Sequence, residues 1–488
     1  MGGGAEAMST ASEASNPITW GEVPSRIFRS GLRRMEAATY LTDGFGLRQR
    51  IESVPGVSVP FHEVASAWLP SRLKSFVVPK GRGLPFMQSG QAFEARPRVS
   101  YWISAAMLRD ADARMLQKDW LLLSSSGDVG RVAPVRDELL GKIVSHHLFR
   151  IVLNDPDDYG WLYAYLRTST FRSIAKSSQY GHIINHIEVA HLNAMPVVMP
   201  HARIRKAIGD KAKRAIALRE HARNLQDEAN AHYSALVNPQ DRPITDEIWQ
   251  RVSVADLMAG RRRFEGHYHR ADYRGVEALV RASATRGIDT VGTVSKSVEL
   301  GNRFKRYFGT NATPYRSAGE LFDVNSPVTK RIYSALLNNP EKYMLVPGQI
   351  VMACSGQTYG LLGRTMILTE QHRGVFGSHD LIRIDPDDSK IRRGYLQTVL
   401  GHETYGRPLA IRYASGTSIP HLDPVDIREV PVPRFATAEE DSIADLCERS
   451  TRLLAEADAL ENEATADAEE AITDLTGVRA VDATAGDE

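Results

Sequence analysis

Two stretches of this chain place apolar and small residues at alternating intervals of three and four. In the first, Ile204, Ile208, Lys211, Ala215, Leu218, Ala222, Leu225, Ala229, His232 and Leu236 keep the alternation throughout. In the second, Ile443, Leu446, Ser450, Leu453, Ala457, Leu460, Ala464, Asp467 and Ala471 do the same. Such spacing predicts a helix whose apolar stripe meets a partner helix. Both stretches are rich in Ala, Glu, Arg and Leu, which favour helix. Pro196 and Pro200 precede the first, and Pro431 and Pro433 the second. Proline cannot be propagated through and fixes an extended approach. Elsewhere the pattern shortens. Trp120–Leu123 and Gln349–Met352 are brief apolar runs closed by Ser-Gly turns, which suits strands. Gly160–Arg167 and Gly394–Leu400 carry Trp, Tyr and Leu at helical spacing.

These patterns occur twice, in one order, at a separation of 229 to 235 residues. Arg34-Met35-Glu36 returns as Arg263-Phe264-Glu265, and Pro85-Phe86 as Pro314-Tyr315. Ser126-Gly127 returns as Ser355-Gly356, and Leu148-Phe149-Arg150-Ile151 as Leu381-Ile382-Arg383-Ile384. Trp161-Leu162, Thr170-Phe171, His186 and Met195-Pro196-Val197 return as Tyr395-Leu396, Thr404-Tyr405, His421 and Val430-Pro431-Val432. A period this long is a duplicated domain, not a solenoid unit. The expected fold is α+β: two similar units in tandem, each followed by a long helix, with the two helices pairing as an antiparallel coiled coil. The expected boundaries are a disordered leader over 1–19, the first unit over 20–200 and its helix over 201–237. A linker over 238–247, the second unit over 248–435, its helix over 436–475 and a loose tail over 476–488 follow.

Charge sharpens this picture. Of the 488 residues, 60 are Lys or Arg and 59 Asp or Glu, a net of +1. Residues 201–237 carry a net of +4, from eight basic and four acidic side chains, and residues 437–475 carry −11, from two and thirteen. Opposite charge favours pairing of the two helices. Removing both helices and the −2 of each terminal stretch leaves +12 on the remainder. A basic surface is the footprint of a partner for a polyanion, usually nucleic acid. No apolar run reaches the ~20 residues that span a bilayer. The opening residues lack a charged-then-apolar signal pattern, so the expectation is a cytoplasmic protein with no membrane partner. Cys354 and Cys447 show no metal or redox spacing and read as reduced thiols.

Candidate DNA-contacting cations are Arg33, Lys80, Arg82, Arg96, Arg98 and Arg131 in the first copy. In the second they are Arg261, Arg262, Lys305, Arg306, Arg316 and Arg364. Aromatics interleave with some, as in RFKRYFG over 303–309. The recurring Arg34–Glu36 and Arg263–Glu265 read as structural ion pairs, and His186 and His421 as turn or core residues. Catalytic constellations are lacking. NDPDDY, NNPEKY and VNPQD miss the second proline of an amino-methyltransferase loop, and SGQTYGLLG is a poor cofactor loop. No Walker loop and no zinc spacing occurs. DPDDSK over 385–390 has an acidic, nuclease-like look but sits in a polar turn and has no counterpart in the first copy.

The doubled order, with GHIINHIEVAHLNAMPVVMP and GTSIPHLDPVDIREVPVPRF each directly before a heptad helix, resembles the specificity subunit of a type I restriction-modification system. The resemblance covers residues ~20 to 475. It implies two target recognition domains, each reading one half of a split, asymmetric sequence in double-stranded DNA. It implies that the helices space the readers and dock two methyltransferase subunits, and that motor-nuclease subunits can join. This chain would itself be non-catalytic and bind no cofactor, with S-adenosylmethionine held by the partner methyltransferase. The unusually acidic second helix departs from the pattern and leaves open what docks there. The weak likeness between copies implies different half-sites. A helix of about 35 residues is about 50 Å long, so it can act as a ruler. Two other readings stay open: a protein-binding adaptor built on a duplicated domain and a helical stem, and a recognition subunit of another DNA-modification or phage-defence complex.

Overall fold

The computed structural model describes residues 37–73, 76–108, 111–180, 185–258 and 262–478. It is a mixed α+β structure in which the two halves repeat one strand order. In the first, Ala65–Trp68, Leu148–Leu153, Leu121–Ser124 and Val132–Pro134 lie side by side as an antiparallel sheet. In the second, Ser295–Leu300, Leu381–Pro386, Ile350–Ala353 and Thr365–Ile367 take the same places. Each half adds a smaller sheet with one parallel pairing. That pairing is Phe86 on Ile143 in the first and Tyr315 on Phe376 in the second. The recurring Ser-Gly turns are left-handed at Gly127 and Gly356, a conformation that glycine adopts without a Cβ penalty. Beside each turn, the recurring histidine forms a bridge, Ser126 with His186 and Ser355 with His421.

A helix packs on each sheet: α1, Tyr159–Arg167, in the first half, and α3, Arg393–Gly401, in the second. The long helices are α2, Ala202–Val237, and α4, Thr437–Thr476. At the start of α2 the His201 side chain accepts from the Arg203 amide at 3.3 Å. It ends at Asn238, held out of helical geometry before Pro239. Helix α4 ends on Gly477 at φ +66, the usual left-handed stop.

The helices α2 and α4 lie alongside in opposite directions. Lys211 pairs with Glu463 and Asp467, Arg219 with Asp458 and Glu461, and Arg214 with Glu456. Ser450 Oγ donates to the Ala222 carbonyl at 2.7 Å. The buried stripe differs from the heptad expectation at alternate positions. Arg219, Tyr233 and Val237 are buried where Leu218, His232 and Leu236 were expected. Cys447, Glu461 and Ala468 replace Leu446, Leu460 and Asp467. Ile204 lies 45% exposed. A helix of 3.6 residues per turn drifts by ~20° per heptad from a 3.5 repeat, and the alanines at 215, 222, 229, 457 and 464 are buried along the seam.

Each half clamps the start of its own long helix and the end of the other. The first core includes Ile208 and Ala212 with Ala464, Ala468 and Ile472. The second includes Ile443 and Cys447 with Ala229, Tyr233 and Val237. The docking is equivalent in both. A Cβ on Gly160 would collide with the backbone of Gly209, and one on Gly394 with the Ala444 carbonyl. Both cysteines are buried free thiols, pushed up to about 12 at Cys354 and about 11 at Cys447 by burial. The Arg263–Glu265 ion pair is present at 2.9 Å, and Arg34–Glu36 lies outside the described residues. In the 385–390 turn, Asp387 accepts from Ser389.

Candidate nucleic-acid interface

Exposed cations stand on the segments that lead into a strand of each small sheet. In the first half, residues Pro79 to Arg82 form a tight turn, closed by the Arg82 amide on the Pro79 carbonyl at 3.0 Å. Gly81 sits at φ +79 in its third place, as a type II turn requires. This turn holds Lys80 and Arg82 outward, both exposed. In the second half, Lys305 and Arg306 are exposed on the approach to the strand Phe308–Arg316. The Lys305 ammonium stands 5.3 Å from the Tyr307 ring. Arg306 lies 3.8 Å from Asp380 and over the Tyr315 ring. Lys330, on the neighbouring strand with its ammonium over Phe308, joins this group. Sequence reasoning missed it although Lys330-Arg331 is a basic pair of the same kind as Lys305-Arg306. Arg262 is exposed at φ +54. Arg33 and Arg261 lie outside the described residues.

The other five candidates come together elsewhere, where the two halves meet across the middle of the helix pair. The Ala95 amide donates to the Phe322 carbonyl and the Val324 amide to the Phe93 carbonyl, each at 2.8 Å. Two crossed ion pairs flank this bridge: Arg131–Asp323 at 2.9 Å and Arg364–Glu94 at 2.8 Å. Phe93 and Glu94 are the repeat mates of Phe322 and Asp323, and Arg131 is the mate of Arg364. The junction is therefore two-fold in character. Arg96 pairs with Asp227 on α2 at 2.7 Å, and Arg98 faces Glu403 at 3.9 Å. Arg316 is half-buried here, and burial lowers its pKa. These arginines spend their charge between the halves, unlike Lys80 and Arg82.

Burial also pushes the Asp323 carboxyl up, to about 6, against the pull of Arg131. Its value in the fold exceeds the ordinary 3.8. Its contribution to stability is therefore complete below pH 3.8 and lost as pH rises through 6. The wild type should lose stability relative to Asp323→Asn over this window by about 1.4 kcal/mol per pH unit. Denaturant titrations at several pH values measure it, and a constant difference between the two proteins would refute the assignment. His372 and His402 act in the opposite sense. Burial holds both at about 4, so their contribution is present above 6.5 and lost as pH falls. His402 Nδ1 accepts from the Thr404 and Tyr405 amides, which leaves Nε2 to donate to Ser234 on α2 at 2.8 Å.

Beside the junction lies a buried polar cluster on α4. Glu461, 1% exposed, accepts from Tyr163 Oη at 2.6 Å, Arg219 Nη1 at 2.6 Å and Asn325 Nδ2 at 2.7 Å, and pairs with Arg167 at 3.2 Å. Burial alone would raise this carboxyl. The guanidiniums of Arg167 and Arg219, with the hydrogen bonds, hold it down at about 2. Residues of both halves and both long helices thus converge on one carboxylate.

No protein-family model matches the chain, and no curated protein matches it. Among solved structures, it is similar to a type I restriction-modification system S subunit from M. genitalium. Identity is 15% over 88% of this chain and 98% of that one, with a TM-score of 0.36. A chain from a structure described as the complex assembly and conformational transition of the type I R-M system is 14% identical. It covers 86% of this chain and 98% of its own, at a TM-score of 0.26. The HsdS subunit from Thermoanaerobacter tengcongensis is 14% identical over 86% and 97%, at 0.25. Among the described residues, no helix is long and apolar enough to cross a membrane, and no group of three or more His, Cys, Asp or Glu is placed to hold a metal ion.

Proposed function

We propose that this protein is the non-catalytic DNA-reading subunit of a type I restriction-modification complex. In this reading each half is a target recognition domain, and α2 with α4 is an antiparallel stem that spaces them. The observation that supports it most is the duplication in three dimensions. Two units of one strand order are docked by equivalent glycine contacts at opposite ends of an antiparallel helix pair. Two heads held rigidly at a set separation suit a bipartite site in duplex DNA, as half-site spacing follows protein geometry. The heads differ in side chains, so the site is asymmetric. Two methyltransferase subunits carrying S-adenosylmethionine act on the bound site, and motor-nuclease subunits join them for cleavage.

Within this reading Lys80 and Arg82 contact phosphates for the first head, and Arg262, Lys305 and Arg306 for the second. Arg33 and Arg261 remain candidates on sequence grounds alone. Arg96, Arg98, Arg131, Arg316 and Arg364 orient the heads from the junction. Phosphate contacts position a protein on DNA without choosing sequence. Lys80→Ala with Arg82→Ala should therefore weaken duplex binding by the assembled complex for all sequences. It should also flatten the dependence of log K on log salt by about 2. Fluorescence anisotropy over 50–300 mM salt reads this, and an unchanged slope removes the turn from the interface. The function is tested by mapping methylated bases in host DNA with and without the gene. A split, asymmetric motif should lose its mark, and an unaltered methylome would overturn the reading.

A further inference from the structure

The two-fold character extends along the stem, with α2 residues matching α4 residues 235 positions later. Ile208 and Ile443, Ala212 and Cys447, Ala222 and Ala457, and Ala229 and Ala464 are buried pairs related in this way. The same relation can be applied to the Glu461 cluster. Glu461 maps to Gln226 and Arg219 to Leu454. The offset of the docking helices maps Tyr163 to Gln397 and Arg167 to Gly401. The offset of the junction maps Asn325 to Arg96. On one side of the stem, then, a carboxylate gathers two guanidiniums, a phenol and an amide. On the other side the carboxylate is an amide, the two arginines a leucine and a glycine, the phenol an amide, and the amide an arginine.

A cavity of about 410 Å³ opens at that second place, lined by these same mates, Arg96, Gln226, Gln397, Gly401 and Leu454, and it reaches Arg219, Asn325 and Asp458 at the edge of the Glu461 cluster, with Glu220 and Asp323 also on its wall. Arg98, Arg364 and Arg407 face it as well. The carboxylates within ion-pair reach of these three are few among the described residues. Glu94 serves Arg364 at 2.8 Å, while Glu403 serves Arg407 at 3.1 Å and Arg98 at 3.9 Å. Hydrogen-bonding capacity is left over too. Arg96 Nη2, Arg98 Nη2, Arg364 Nε and Gln397 Oε1 are buried with no partner among the described residues, and Arg364 is only 7% exposed. Burial and the neighbouring Arg364 and Arg407 lower Arg98 to about 10. Buried polar groups are ordinarily satisfied, and guanidiniums bind phosphate oxygens through paired N–H donors.

We propose that this cavity binds a phosphate-bearing small anion of up to nucleotide size, whose negative charge takes the place that the Glu461 carboxylate fills on the other side. The volume lies within the usual range for small-molecule sites, ~300–1,000 Å³. Arg98 comes from the first half and Arg364 and Arg407 from the second, so the bound anion ties the halves together beside the Glu94–Asp323 bridge.

The test is calorimetric titration of the full-length chain with inorganic pyrophosphate and with ATP, without magnesium. Saturable binding of one equivalent is expected, with a raised Tm. Arg98→Gln should weaken it about tenfold or more. Gln226→Glu restores a carboxylate at the position of the Glu461 mate. It should abolish anion binding while raising the Tm of the free chain. Absence of saturable binding of either probe to the wild type would overturn the site. So would binding left intact in both variants. A duplex of 20 base pairs distinguishes the source of phosphate. Retention of the small anion in its presence supports a dedicated site. Displacement, together with weaker duplex binding by Gln226→Glu, would assign the cavity to the DNA backbone and refute a small-molecule ligand.

Discussion

Glu461→Ala is expected to destabilise the protein by about 3–5 kcal/mol, the cost of breaking a buried ion pair from one side. The carboxylate is shared by Arg167 and Arg219, with Tyr163 and Asn325 as further donors. Its loss takes from Arg167 its carboxylate partner among the described residues and leaves Arg219 with Asp458. Glu461→Gln keeps the volume and one acceptor oxygen and should lose less. The pH dependence provides an independent check. The folded carboxyl titrates below its ordinary 4.5. Its contribution is therefore present above 4.5 and lost as pH falls toward 2. The Ala variant should lack that acid slope. Denaturant unfolding at pH 3 and pH 7 measures both effects. A loss below 1 kcal/mol at pH 7 would mean that the cluster contributes little to holding the halves on the stem. A buried network of this kind can select register as well as stability. Sliding α4 by one turn against α2 would take Glu461 away from Arg219, while the alanine stripe would pack almost as well.

The second large effect concerns spacing. Four residues inserted at the same level of both helices, beside the touching Ala222 and Ser450, lengthen the stem by ~6 Å and turn one head by roughly 40°. Within the proposed function, DNA fragments selected from a random library should then carry about two more unread base pairs between half-sites, at 3.4 Å per step. The stem is not the whole ruler, however, because the halves also meet at Glu94 and Asp323. Insertion must part that bridge, so the stability difference between wild type and Asp323→Asn should vanish in the lengthened background. Insertion into α2 alone breaks the register of the two helices on one side of the Ala222–Ser450 level and should prevent folding. An unchanged spacing in the doubly lengthened protein would defeat the ruler.

Much of the scaffold was legible because it depends on local periodicity. Alternating threes and fours marked the helices now seen at Ala202–Val237 and Thr437–Thr476. Short apolar runs before Ser-Gly marked the strands Leu121–Ser124 and Ile350–Ala353. The contact face of the helices was less legible. A 3.5 repeat and a 3.6 repeat drift apart by only ~20° every seven residues, and only packing shows whether Leu460 or Glu461 faces inward. Charge was the poorest guide. Arg82 and Arg364 look alike in sequence, yet one stands on an exposed turn and the other is buried against Glu94. Their difference is made by a residue 270 positions away.

By itself, then, the order of residues determined the duplication, the two helices and their opposite charge, since each is written in composition and short-range spacing. Tertiary structure alone decided which arginines face solvent and which join the halves. It also decided that Glu461 gathers a buried cluster and that a cavity opens beside it, toward the other side of the stem. Those outcomes depend on the burial and pairing of groups far apart in the chain. The free energy of a charge is set by what surrounds it in space, not by its neighbours in sequence.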